Sequence, residues 1–519
     1  MLRKGITESF GAAIYTLNTA QLTDGVINRS KRMMLDTLGV GLLGTRTAVF
    51  NKALKYSQVD DYSCVSSSQG QFAHIIPFML PFVFDGNQTP QYRAHSYSFV
   101  CWQMFTSDKK SSVWGKSEII LPPHYAAFVN GIAVHSMDFD DTWHPATHPS
   151  GAVLPALLAL AETLPSQPSG LDLLLAFNVG IEVQGRLMRF STEAYNIPER
   201  FHPPSVVGVM GSAAASAKLL GLSPEQCSHA LAIAASSAGA PLANTATQTK
   251  PLHIGNAARR GLEAALLAQA GLEGNPAILD MNCGFGVYYK DYSPSAMADS
   301  TSGAFRWILE DQDVAFKRIP AHLGMHWVVD AALAARANLQ NTAGHFDSNR
   351  IRRVTLRVPP SKYINCPLPS TEHQARHSFQ FNACSALLDD NVTVASFSDA
   401  LIRRSALKEL LSKVTVETPE DNQPSFDQMY CEVEVETDQG LSYAARCNTF
   451  YGHWRKPLSQ EHLVEKFSVN ASSVLCTDGV DGVIDVVGNI ERQRGCSVLS
   501  SYLRMTSHPH EQQHRTMTL

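Results

Sequence analysis

The sequence predicts a mainly α protein, with a large all-helical domain interrupted by a smaller α+β lid domain. Two observations carry that reading. Apolar residues recur at helical spacing through most of the chain, in stretches unusually rich in Ala, Gly and Ser. Strand-like alternation is confined to one later segment.

Taken in order, Thr23 caps a run in which Val26, Ile27, Ser30, Met33, Met34, Thr37, Leu38, Gly41 and Leu42 lie on one helical face. Further helices are expected over Tyr125–Met137, Ala152–Glu162, Leu171–Phe190, Ser205–Leu220, Pro224–Ser237 and Ile254–Ala270. Small residues such as Gly208, Gly211, Ala213 and Ala217 let helices approach closely, which favours a bundle over a βαβ repeat. Val354, Leu356 and Val358 then alternate with polar residues, as do Val433 and Val435, and Asp438-Gln439-Gly440 reads as a hairpin turn into Leu441–Arg446. Helical spacing returns at Leu458–Phe467 and Val480–Ile490.

The division that follows is 1–312 for the helical domain, 313–447 for the lid, 448–505 for a helical return completing the first domain, and 506–519 for a disordered tail with His508, His510 and His514. An inserted domain of this kind can close over a cleft at the boundary. One stretch does not fit. Residues 59–109 are Ser-rich, aromatic and Pro-broken, with only the short apolar run Ile75–Phe84, and read as an insertion within the helical domain.

Hydrophobic residues at 44 % and charged residues at 17 % exclude global disorder, and a net charge of −5 provides no basic excess for nucleic acid. No run of 18 or more apolar residues suggests membrane insertion. The cysteines are scattered without a C-x-x-C pair, as expected of reduced structural thiols inside a cell. The basic start, Met1-Leu2-Arg3-Lys4, lacks a secretory apolar region and is compatible with a mitochondrial presequence; a cytoplasmic location is the alternative.

The densest chemistry lies in His135–Gly151, where Asp138, Asp140, Asp141, His135, His144 and His148 crowd into a loop leaving a helix. Three readings stand: solvated turn residues, a metal site, or acid–base chemistry in which Asp138 orients His148 and raises its pKa. His202 sits in a proline-locked loop before a helix, and Lys250 is the only cation of a hydroxyl-rich loop suited to an anion. His322 at the start of the insertion and Tyr363 after its first strand are weaker candidates. No phosphate loop or nucleophile elbow is present, and Gly284-Phe-Gly286 lacks the setting of a dinucleotide site. No cofactor and no metal are expected.

The stretches His135–Gly151, Phe201–Gly208, Gln248–Ala258, Asp311–His322 and Thr449–Lys466 resemble the MmgE/PrpD family, which includes 2-methylcitrate dehydratase. The likeness runs from Thr7 to Tyr56 and from Ser112 to about Leu503, interrupted by roughly 45 extra residues whose composition suggests translated non-coding sequence or a lineage insertion. The resemblance implies a homodimer that converts cis-aconitate to itaconate and CO2 without a cofactor, in mitochondria, as part of innate immune and antimicrobial metabolism.

It also implies functional positions at Asp138, Thr142, His148, His202, Lys250, His322 and Tyr363. On that basis Lys250 and His202 grip substrate carboxylates as positive partners, Thr142 and Tyr363 donate hydrogen bonds, His148 held by Asp138 donates the proton, and His322 reports closure or shares the transfer. Three rivals remain: a hydratase or dehydratase on a related tricarboxylate, a metal-dependent hydrolase using Asp138 and His148, and a non-catalytic metabolite-binding protein.

Overall fold

A computed structural model of the chain describes residues 5–65, 110–144, 147–297, 305–361 and 363–507. Leaving single-turn helices unlabelled, the bundle contains α1 (Ile6–Thr16), α2 (Asp24–Gly44), α3 (Ala48–Val65), α4 (Pro123–His135), α5 (Pro149–Ala161), α6 (Gly170–Met188), α7 (Pro203–Leu219), α8 (Pro224–Ala235) and α9 (Thr249–Gln269). The second part contributes α10 (Met325–Ala343), α11 (Phe379–Asp389) and α12 (Ser405–Ser412), and the chain ends in α13 (Gln460–Ala471), α14 (Thr477–Gly488) and α15 (Ser497–Tyr502).

Local chemistry sets many of these boundaries. The Thr23 hydroxyl accepts the Val26 N–H at 3.3 Å, and Ser169 and Ser223 close capping boxes on α6 and α8. Helices α4, α5 and α7 each begin at a proline, earlier than the apolar period indicates, because the fixed φ of proline suits a first helical position. Helix α9 also starts earlier than expected, so Lys250 stands in its first turn rather than in a loop.

Glycines permit the tightest crossing. Helix α9 packs on α4 and α7, and Gly131 and Gly255 meet where α4 and α9 cross. A Cβ on Gly255 would lie 2.6 Å from the Phe128 carbonyl oxygen, so the two backbones touch only because no side chain intervenes.

A large buried core spans the bundle and resumes with Leu458 and Leu463 in the C-terminal helices. A separate core runs from Ala315 to Phe450, with Ile197 reaching it from the bundle. Its sheet has the order β4 (Val414–Glu417), β3 (Ile351–Arg357), β5 (Cys431–Thr437), β6 (Ser442–Cys447), after the short pair β1 (Ser111–Ser112) and β2 (Ile120–Leu121) near the bundle's start. Strand β3 is parallel to β4, with Val354 beside Val414, and antiparallel to β5, with Leu356 beside Val433; the expected hairpin joins β5 to β6. Helix α10 covers this sheet.

Two further boundaries differ from expectation. Helix α3 continues to Val65, into the stretch read as aperiodic; the rest of that stretch, with Ile75–Phe84, lies outside the described residues. The tail begins later, since Thr506 bridges to Leu475 and the Ser507 N–H donates to the Val474 carbonyl at 3.1 Å; His508, His510 and His514 lie outside the described residues. Among the described residues no helix is long and apolar enough to cross a membrane.

Candidate active site

Beyond His135 the chain leaves α4 through a turn in which Asp138 has φ +52°, a left-handed conformation uncommon outside glycine that aspartate and asparagine tolerate better than other residues. Its neighbours pin the loop. Lys466 from α13 bonds Asp36 of α2 at 2.6 Å and the Phe139 carbonyl at 3.0 Å. Thr142 exchanges two backbone hydrogen bonds with Ala315, tying the loop to the chain entering the second core.

The Asp138 carboxylate faces two ammonium groups. Lys250 donates to one oxygen at 2.5 Å, and Lys317 donates to the other at 2.6 Å and to the Asp138 carbonyl at 2.9 Å. Burial opposes the charge, but the two lysines outweigh it and hold the carboxyl well below the usual range. Burial pushes the Lys250 ammonium down from its ordinary value, and the contact with Asp138 opposes that.

Asp138 does not orient His148. The His148 Nε2 is 3.9 Å from it, beyond hydrogen-bond length. Orientation comes instead from the other ring nitrogen, which donates to the Asp141 carbonyl at 3.0 Å and lies 3.3 Å from Asp140. Asp140 also accepts from His135 Nδ1 at 3.0 Å, and burial lowers His135 to about 4, so its ring is neutral. With Nδ1 committed, Nε2 is the His148 atom left to exchange a proton. The Thr142 hydroxyl stands 3.5 Å from the same ring.

His148 and His202 occupy equivalent local positions, each the residue immediately before a proline-initiated helix, α5 or α7. Lys250 stands at the start of a third, α9. Three helix N-termini, each carrying a partial positive charge, therefore meet at one place. His202 Nδ1 is 3.2 Å from His253 Nδ1, and burial holds both rings neutral, His253 at about 4. His202 accordingly offers a hydrogen bond rather than the positive charge expected of it.

From the second core, His322 Nδ1 accepts the Gly324 N–H at 3.1 Å, so in the neutral ring the proton is on Nε2 and donates to the Tyr363 oxygen at 2.9 Å. Burial lowers His322 and raises the Tyr363 phenol, keeping the ring uncharged and the phenol protonated. The phenolic hydrogen is then free for another acceptor. His377, neutral through burial at about 3, adds a third ring near Asp138.

These groups line a narrow pocket between the two cores. Thr142, His148, His202 and Lys250 line it from the bundle, and His322, Tyr363 and Phe426 from the other side. Of the seven positions that the family resemblance implies, only Asp138 stands behind the wall, against Lys250; His135, Asp140, Asp141 and His144 of the same loop do not line the cavity either. Sequence reasoning missed Asp140 as the orienting carboxylate, Lys317 as a second ammonium, and His253 and His377. A lysine in the apolar run Val314-Ala315-Phe316-Lys317 was the one available signal, since a solvated lysine does not need apolar neighbours.

Ring nitrogens of His135, His148 and His202 lie within 4.8 Å of one another, and His135 and His148 also group with Asp138 and Asp140. These could hold a metal, but Asp138 already carries two ammonium groups and Asp140 accepts from a histidine, so the carboxylates are engaged within the protein.

Residues 86–297 match the MmgE/PrpD N-terminal domain and residues 319–491 the MmgE/PrpD C-terminal domain. The chain is 53 % identical over 511 residues to a cis-aconitate decarboxylase of Homo sapiens, covering 98 % of this chain and 96 % of that one. It is likewise 53 % identical over 507 residues to a cis-aconitate decarboxylase of Mus musculus, covering 97 % and 94 %. A cis-aconitate decarboxylase of Aspergillus terreus is 26 % identical over 418 residues, covering 74 % and 81 %. The chain belongs to the MmgE/PrpD family.

Proposed function

We propose that this protein is a cis-aconitate decarboxylase, a carbon–carbon lyase that forms itaconate and CO2 by acid–base chemistry. The observation that carries the reading is the single cavity in which Lys250, three helix N-termini and the rings of His148, His202 and His322 face one another. The near-full-length likeness to two proteins of that name supports it.

The chemistry suits the groups present. Breaking the bond from the CH2 carbon to its carboxylate releases CO2, and the bonding pair becomes a new double bond to the central carbon. The former double-bond pair moves to the far CH carbon, where the adjacent carboxylate stabilises it and a proton is added. The substrate supplies its own electron sink.

The protein must hold the carboxylates, stabilise the developing charge and deliver one proton. Lys250 supplies the ammonium for a carboxylate, with Lys317 sharing Asp138 and leaving the lysine pair net positive. Thr142, His202 and Tyr363 donate hydrogen bonds. His148, oriented by Asp140 and the Asp141 carbonyl, donates the proton from Nε2.

In this reading the second core acts as a lid, since His322 and Tyr363 complete a wall that the bundle alone leaves open. A homodimer, a mitochondrial location and a part in innate immune and antimicrobial metabolism belong to the same proposal and rest on the family resemblance. Incubating purified protein with cis-aconitate and no added cofactor, then identifying products by mass spectrometry, tests the activity. Itaconate is expected; a hydrated tricarboxylate, or turnover of 2-methylcitrate in its place, overturns the decarboxylase in favour of a dehydratase.

A further inference from the structure

Decarboxylation of this kind consumes one proton per turnover, and the groups that face the substrate are buried. His148, His202 and Lys250 are each less than a tenth exposed. The donor must be recharged between turnovers, and water enters the cavity only by the path that the substrate and product also use, unless another route exists.

A second opening lies behind His202. Ser205, Ser237, His253, Asn256 and Arg260 line an open polar cleft, and Ser237, Asn256 and Arg260 are exposed. His253 lines this cleft and meets His202, which lines the cavity. One ring nitrogen, Nδ1, meets His202 Nδ1 at 3.2 Å, which leaves Nε2 as its other proton site. Ring nitrogens of His202, His135 and His148 also lie within 4.8 Å of one another, a separation that one bridging water spans.

We propose that His253 is the proton-resupply residue of the decarboxylase reaction, acting through His202; the inference rests on the activity proposed above. A proton from water or a buffer acid in the cleft binds His253 Nε2 as the Nδ1 proton passes to His202 Nδ1. His202 releases its Nε2 proton through the bridging water to His148 Nε2, restoring the acid used in the previous turnover. No bond other than N–H and O–H changes; the passage leaves His253 protonated on Nε2 and His202 on Nδ1, and both rings turn over before the next uptake, so that one proton enters for each one added to carbon. His253 touches no substrate and is not itself a catalytic residue.

The test compares two rates in His253→Gln, which can keep a hydrogen bond to His202 but cannot pass a proton along its side chain. With enzyme in excess over cis-aconitate, the first turnover uses a proton already on His148 and is expected to match the wild-type rate. Steady-state kcat is expected to fall about tenfold or more, the scale of a lost proton-transfer group, with KM little changed.

Equal steady-state rates overturn the relay, showing that the donor recharges through the substrate entrance. Parallel loss of both rates also overturns it, assigning His253 a structural role. If His253→Gln does not fold, His253→Asn is measured in the same way. Wild-type protein that forms no itaconate refutes the underlying activity and is distinguishable from a failed relay, in which wild type remains active.

Discussion

At Asp138 one carboxylate serves two lysines while its backbone occupies the left-handed region. Removing its charge leaves two buried ammonium groups facing each other. Asp138→Asn is expected to destabilise the protein by about 3–5 kcal/mol, as for other buried pairs that lose one partner, and urea unfolding measures it. A loss below about 1 kcal/mol, the scale of an exposed pair, contradicts the arrangement. His148→Ala removes the proton donor and one of the two histidines beside the buried Asp140, which keeps its hydrogen bond from His135. It is expected to remain folded and to lose about 10²–10⁴ in kcat; near-normal itaconate formation rejects the donor role. Which carboxylate orients His148 was not legible in the sequence, because Asp138, Asp140 and Asp141 are all within reach along the chain and only the left-handed turn at Asp138 aims that side chain at the lysines. Of the wall residues, Thr142, His148, His202, Lys250, His322 and Tyr363 were legible through the family resemblance, most of them in polar motifs broken by proline, whereas His377 and Phe426 were not.

Among the elements, helices with a clear apolar face were legible and their starts were not, because proline at the first turn extends α4, α5 and α7 without contributing to the periodic pattern. Strand β4, only Val414–Glu417, is too short to show alternation and forms because β3 offers a parallel edge. The α4–α9 crossing sets how far Lys250 stands from the loop that leaves α4. Gly255→Ala forces a Cβ against Phe128 and Ile132 and is expected to cost about 1–3 kcal/mol, with kcat/KM reduced because the helix carrying Lys250 shifts. Unchanged urea stability and unchanged kcat/KM together count against this view of the crossing. The segment between the cores has its own fastener. His326 accepts the Arg318 N–H at 3.2 Å through Nε2, its Nδ1 donates to the Leu323 carbonyl at 3.1 Å, and burial holds its pKa well below 6.5. As pH falls below about 6.5 the unfolded chain binds a proton there and the folded chain does not, so folding loses up to about 1.4 kcal/mol per pH unit from this residue. Relative to His326→Gln, wild type is therefore expected to lose stability between pH 7 and pH 5 in urea titrations. A constant difference between the two proteins refutes the neutral ring.

On the scale of the whole molecule, the cavity is shared by two cores that are each packed separately. A bound tricarboxylate touches both and is expected to stabilise their association. Citrate or itaconate at one hundred times its Kd should add about 2.7 kcal/mol to unfolding, and Lys250→Ala should abolish most of that gain at the same concentration. Equal stabilisation of both proteins places the anion elsewhere. That an α+β segment could close over a cleft at its boundary was legible from where strand alternation begins and ends; which contacts join the two cores there was not, because Thr142–Ala315 and Ile197–Pro424 are backbone contacts without a side-chain signature.

That shared wall has a consequence for how such a catalyst could be retuned. The bundle's contribution is locked by touching helix backbones and a carboxylate with two lysines, so substitutions there disturb the fold and the chemistry together. The opposite wall presents Leu323, Tyr363 and Phe426 from a core with its own independent packing. Substrate scope can therefore drift, in a laboratory library or over generations, by exchanging those few side chains while the charge-handling half is inherited intact.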